Sequence, residues 1–106
     1  MFATTPEPPY FAVIFTSQRV NDEGYAETSK RMMDLAQQQP GFLGIESARG
    51  ADGVGITVSY WRDLESIANW KAHGEHLVAQ GRGRSEWYGG YVTRIAKVER
   101  DYGFGA

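Results

Sequence analysis

The sequence predicts an α+β protein of the ferredoxin-like βαββαβ type, an antiparallel sheet with two helices on one face. Three observations carry this. The hydrophobic pattern switches between period two and period 3.6 in the order strand, helix, strand, strand, helix, strand. The strands are apolar on both faces, as in a sheet covered on both sides. The chain has 106 residues, enough for one modest core and small enough to gain from a partner subunit.

Residues 1–9 hold three of the four prolines and are expected to form a flexible, extended arm before a single domain over 10–106. The first strand is Tyr10 to Arg19, with Phe11, Val13 and Phe15 on one face and Ala12, Ile14 and Thr16 on the other. Asn21-Asp22 offers a cap for the first helix, whose stripe is Tyr25, Met32, Leu35 and Ala36. Pro40-Gly41 stops that helix. A second strand follows over Phe42 to Ser47, then a turn at Gly50 to Gly53 whose tightest signal is Asp52-Gly53. The third strand alternates Val54, Ile56, Val58 and Tyr60 against Gly55, Thr57, Ser59 and Trp61.

Asp63 is the expected N-cap of the second helix, with Glu65 near its positive end. Leu64, Ile67, Trp70, Gly74, Leu77 and Val78 make its apolar stripe, and the helix is expected to fray near Gln80-Gly81. A short helical turn is expected over Ser85 to Tyr88, broken by Gly89-Gly90. The last strand then runs from Tyr91 to Glu99 with Val92, Ala96 and Val98 on one side, and Tyr102 and Phe104 place aromatic area on the tail. Two helices cover only one face of such a sheet. The other is expected to meet a second sheet, most simply that of a symmetry-related copy, closing a dimeric barrel.

Composition excludes several functions. A net charge of −2, from 11 basic and 13 acidic residues, leaves no footprint for nucleic acid or an anionic membrane. Without cysteine there is neither a disulfide framework nor a thiol nucleophile, which is compatible with a reducing compartment. The opening MFATTPEPPY lacks the basic and long apolar segments of a secretory signal, and no stretch has the length of a membrane span. The expectation is a soluble cytoplasmic protein.

All three tryptophans and both histidines fall between Ile56 and Tyr88. His73 and His76 are three apart on one helix, but a metal site needs further ligands, and none is arranged for it. Proton transfer suits them better, because an imidazole can act as a general base. The pair Arg82 and Arg84 makes neither a basic patch nor a phosphate loop, so it reads as solvated charge, although Arg84 has the chemistry to orient an acidic group. Trp87, Tyr88 and Tyr91 either line a pocket or pack the helix end. No Ser/His/Asp set or glycosidase-type carboxylate pair is discernible.

The run SYWRD, then Trp70 and His73, then GRGRSEWY, together with PGFLGIES, resembles the antibiotic-biosynthesis monooxygenase-type domain over nearly the whole chain. The resemblance implies a dimeric α+β barrel in which the final strand or tail reaches onto the partner. It also implies either a cofactor-independent oxygenase of phenol- or quinol-type compounds, with no bound metal, or a haem-degrading enzyme. The haem-degrading branch uses an asparagine on the first strand and a histidine beyond the helix tryptophan. Here the first strand, YFAVIFTSQR, has no asparagine, and Gln80 stands at the histidine's place. Oxidation of a small aromatic ligand with O2 is therefore the leading reading, with a non-catalytic dimeric ligand-binding module second and haem degradation third. The residues assigned to chemistry are Trp70, His73 and His76, with either histidine as the base; those assigned to the ligand are Trp61, Asn69, Arg84, Trp87 and Tyr88.

Overall fold

The computed structural model describes the backbone of residues 2–20, 25–80 and 88–105, with side chains for all of these except 25, 26, 28, 75–80 and 88. Its elements are β1 (Tyr10–Arg19), α1 (Tyr25–Gln37), β2 (Phe42–Arg49), β3 (Val54–Trp61), α2 (Leu64–Gln80) and β4 (Tyr88–Val98). The four strands form one antiparallel sheet in the order β2-β3-β1-β4, the ferredoxin-like arrangement.

Register sorts the side chains. Phe11 pairs with Trp61 and Lys97, Val13 with Ser59 and Ile95, and Phe15 with Thr57 and Thr93. Directly paired residues share a face, and the Trp61 ring lies against Trp70 of α2, so this set faces the helices. Ala12, Ile14 and Thr16, paired with Tyr60, Val58 and Ile56, face away. The period-two reading of β1 and β3 thus assigns every residue to its observed face.

The turns follow the expected chemistry. Gly53 has φ +87°, its N–H donates to the Gly50 carbonyl at 3.0 Å, and the Asp52 carboxylate accepts the Val54 N–H at 3.1 Å. Gly41 has φ +85° at the end of α1, and its carbonyl accepts the Arg62 N–H at 2.8 Å, tying this turn to the entrance of α2. Asp63 caps α2 as expected, accepting the Ser66 N–H at 2.8 Å. The Ser66 hydroxyl and then its N–H hold the Asp63 carboxyl below the usual carboxylate range.

Three expectations change. Gly89 and Gly90 lie inside β4, which begins at Tyr88, so they do not break the chain there. The pairing across them shifts between Gln18 and Arg19, an irregularity that glycine accommodates readily. β2 continues to Arg49 because Ala48 and Arg49 pair with Ile56 and Gly55. Leu64 is exposed, since at the first turn of α2 it precedes the point where the helix meets the sheet. The expected Asn21-Asp22 cap, the expected fraying at Gly81 and residues 85–87 of the expected helical turn lie outside the described residues.

Both ends of the chain lie along the outer face. The Ala3 N–H donates to Glu46 at 2.9 Å, and the Glu46 carboxylate also accepts the Tyr60 hydroxyl at 2.7 Å. Tyr10 donates to Asp101, and the Tyr10 and Tyr60 rings meet edge to face at 5.8 Å. This end is therefore partly covered, with Tyr10 and Ala12 buried. At the opposite end of that face Val54, Ile56 and Val92 are exposed, and on the tail Tyr102 and Phe104 are fully exposed.

Candidate functional site

The candidate site lies on the helix side of the sheet. α1 packs on β2 and α2 on β3. The helix-side surface of β4 stays more open, with Tyr91 40% and Ile95 53% exposed. Phe11, Val13 and Phe15 of β1 are half-buried beside it, and the Phe15 and Tyr91 rings approach to 5.2 Å. The result is an open trough along β1 and β4, apolar at Phe11, Val13, Phe15, Tyr91 and Ile95 and polar at Thr93 and Lys97.

Trp61 ends β3 and is 0% exposed. Its Nε1–H donates to the Ser59 Oγ at 2.9 Å, which satisfies the one polar group of a buried indole. The Phe42 ring meets it edge-on at 5.4 Å. Its other neighbour is Trp70, whose ring lies 6.0 Å away at an interplanar angle of 24°. Trp70 is half-buried, and Gly74, one turn further along α2, is buried where Met32 of α1 approaches: a Cβ at Gly74 would lie 3.8 Å from the Met32 methyl and 4.0 Å from the Trp70 ring. Helix spacing therefore turns Trp70 and Gly74 inward together.

Asn69 and His73 have exposed side chains. The side chains of His76 and Tyr88, and the whole of Arg84 and Trp87, lie outside the described residues. The structure thus brings together Trp61 and Trp70, with Trp61 wholly beneath Trp70. Sequence reasoning missed Ser59 as Trp61's partner, although two residues apart on one strand share a face and the signal was available. It also missed Phe42 as a wall of the indole pair. Among the described residues no group of three or more histidine, cysteine, aspartate or glutamate side chains is gathered to hold a metal ion, and no helix is long and apolar enough to cross a membrane.

Residues 15–82 match the family model described as antibiotic biosynthesis monooxygenase. The Bacillus subtilis (strain 168) protein YqjZ is 59% identical over 97 residues, covering 91% of this chain and 85% of that protein. The jasmonate monooxygenase ABM of Pyricularia oryzae is 26% identical over 104 residues; the match takes in 92% of this chain but 41% of that protein's length. Among solved structures, SnoaB, a cofactor-independent oxygenase from Streptomyces nogalater, superposes with TM-score 0.67 at 10% identity, covering 93% of this chain and 100% of that one. A conserved protein from Methanosarcina mazei Go1 superposes with TM-score 0.64 at 15% identity, covering 88% and 94%. The chain belongs to the antibiotic biosynthesis monooxygenase family.

Proposed function

We propose that this protein oxidises a small aromatic substrate of the phenol or quinol type with O2, without a bound metal or other cofactor, in the trough on the helix side of β1 and β4. The observation that carries this is the half-buried Trp70 indole, backed by Trp61, on the same side of the sheet as the apolar residues Phe11, Val13 and Phe15 of β1 and Tyr91 and Ile95 of β4. Such a surface holds an electron-rich ring by stacking and apolar contact. The cofactor-independent activity of the structurally similar SnoaB supports the same reading.

The chemistry needs little from the protein. A base removes a proton from the activated substrate, and the resulting anion gives one electron to O2, forming superoxide and a substrate radical. These combine to a peroxide at carbon. Loss of water, taking the second hydrogen of that carbon and one peroxide oxygen, leaves a carbonyl. For a CH2 group the sum is CH2 + O2 → C=O + H2O, and O2 supplies all the oxidising equivalents. His76, or alternatively His73, is the proposed base. Asn69, Arg84, Trp87 and Tyr88 are the proposed ligand contacts around the trough.

We propose further that the protein is a homodimer, with the exposed Val54, Ile56 and Val92 buried against a second sheet and Tyr102 and Phe104 docked on the partner. Haem degradation is not favoured, because Gln80 and the asparagine-free β1 lack two of the residues that chemistry draws on.

The deciding assay is oxygen consumption with anthrone-, naphthol- and quinol-type compounds in chelator-treated buffer. Stimulated uptake that falls about a hundredfold in His76→Ala or His73→Ala is the expected result. Tight binding of the panel without uptake would replace the reading by a non-catalytic ligand-binding module. Turnover unchanged in both variants would move the base elsewhere.

A further inference from the structure

Trp61 has no exposed surface, so it does not touch a ligand directly. Yet it is tightly held. Its indole N–H is spent on Ser59, its edge is met by Phe42, and one face is stacked on Trp70. A buried indole held by one hydrogen bond and two ring contacts has little rotational freedom. Trp70 projects from a helix and is half-buried, and without that backing its side-chain torsions would be less restricted. We infer that Trp61, locked by Ser59, is a positioning residue that sets the plane of the Trp70 indole, so that a planar aromatic ligand completes a stack of three rings in the order Trp61, Trp70, ligand. This inference rests on the reading that Trp70 lines the ligand trough.

The consequence is selectivity for flat, conjugated ligands. The ring face of Trp70 turned to Trp61 is occupied, and Gly74 lies close to the ring. A ligand is thus presented with one aromatic plane of fixed tilt. Extended planar substrates gain from this in proportion to their overlap, whereas saturated rings gain little. Fixing the plane also fixes how the reacting carbon sits relative to the base, and small misplacements at that level cost rate.

The test uses Ser59→Ala, Ser59→Thr, Trp61→Phe and Trp70→Phe in the full-length protein. Binding is read by titration with 1-naphthol, turnover by oxygen uptake with anthrone, and the indole pair by its exciton couplet in circular dichroism. Urea unfolding scales each constant to folded protein. Ser59→Ala and Trp61→Phe are expected to weaken the couplet or abolish it, and to lower naphthol affinity and anthrone kcat by about tenfold. Ser59→Thr, which keeps the hydroxyl, is expected to restore both. A merely structural Trp61 would shift the urea midpoint and leave those constants alone. Should Trp61→Phe fail to fold, Ser59→Ala, which removes a single oxygen atom, carries the test. Loss of affinity in Trp70→Phe combined with wild-type constants in Trp61→Phe and Ser59→Ala would overturn this inference alone. Absence of naphthol binding to the wild type, or indifference to Trp70→Phe, would overturn it together with the placement of Trp70 in the trough.

Discussion

Replacing Gly41 by alanine tests how the end of α1 positions the helix that carries Trp70. Two costs add at this position. Gly41 has φ +85°, a region that costs a residue with a Cβ roughly 1–2 kcal/mol. The new methyl would also stand 2.7 Å from the Ser66 Cβ and closer still to its hydroxyl oxygen. Ser66 is buried and is the residue capped by Asp63, so it has little room to retreat. Overpacking of this kind costs about 1–3 kcal/mol. The sum is about 2–5 kcal/mol, a large share of the roughly 5–15 kcal/mol that holds a domain together. Urea unfolding measures it directly. A double-mutant cycle with Ser66→Gly separates the parts: the steric part should disappear in that background while the backbone part remains. A Gly41→Ala protein within about 0.5 kcal/mol of wild type would refute the reasoning.

Trp70→Ala should lower stability by about 1–3 kcal/mol in urea unfolding, below the range for fully buried aromatics because the ring is half-buried, whereas Trp70→Phe should unfold nearly as the wild type yet bind aromatic ligands more weakly. Sedimentation should give twice the chain mass; Ile56→Lys, which puts charge on the exposed outer face, should shift it to monomer, and an unchanged dimer would place the interface elsewhere. Acid and alkali should act through one cluster. The Ala3 N–H and then the Tyr60 hydroxyl hold Glu46 below its ordinary range, so its stabilising effect is present above the unfolded carboxylate value and is lost as pH falls through the folded one. Burial, and then the bond to Glu46, push Tyr60 up to about 12 from 10.0, so its effect is present below the unfolded value and is lost as pH rises from 10 toward 12. Urea midpoints against pH should decline at both ends. Glu46→Gln should flatten the acid limb, and Tyr60→Phe should remove a phenol titrating near 12 from an ultraviolet tyrosinate titration; unaltered curves in both would argue against the cluster.

Local chemistry made much of the fold legible in the sequence. Period-two alternation placed β1 and β3 with both faces correct, Asp63 announced its helix, and Asp52-Gly53 and Pro40-Gly41 announced their turns. Each is a short-range effect, in which side chain and backbone meet within a few residues. For the site, the same short-range logic identified Trp70 as an inward residue of an amphipathic helix.

What the sequence could not decide depended on residues distant in the chain. Gly89 and Gly90 read as breakers until β1 pairs around them; Gln18 opposite Gly90 and Arg19 opposite Tyr88 keep both glycines within β4, with Gly89 in the register shift. The second strand read as ending at Ser47, but Ala48 and Arg49 continue it, and the Arg49 guanidinium lies over Gly55, where a Cβ would come within 2.6 Å, and donates to Ser17 at 3.1 Å across the sheet. The arm's place on the outer face follows from Glu46, 43 residues from Ala3. Trp61 was equally visible as an aromatic residue at a strand end; only the packing of Phe42, Ser59 and Trp70 around it makes it wholly buried and places it beneath the trough. Burial of that kind is a property of how three elements meet, and no local pattern encodes it.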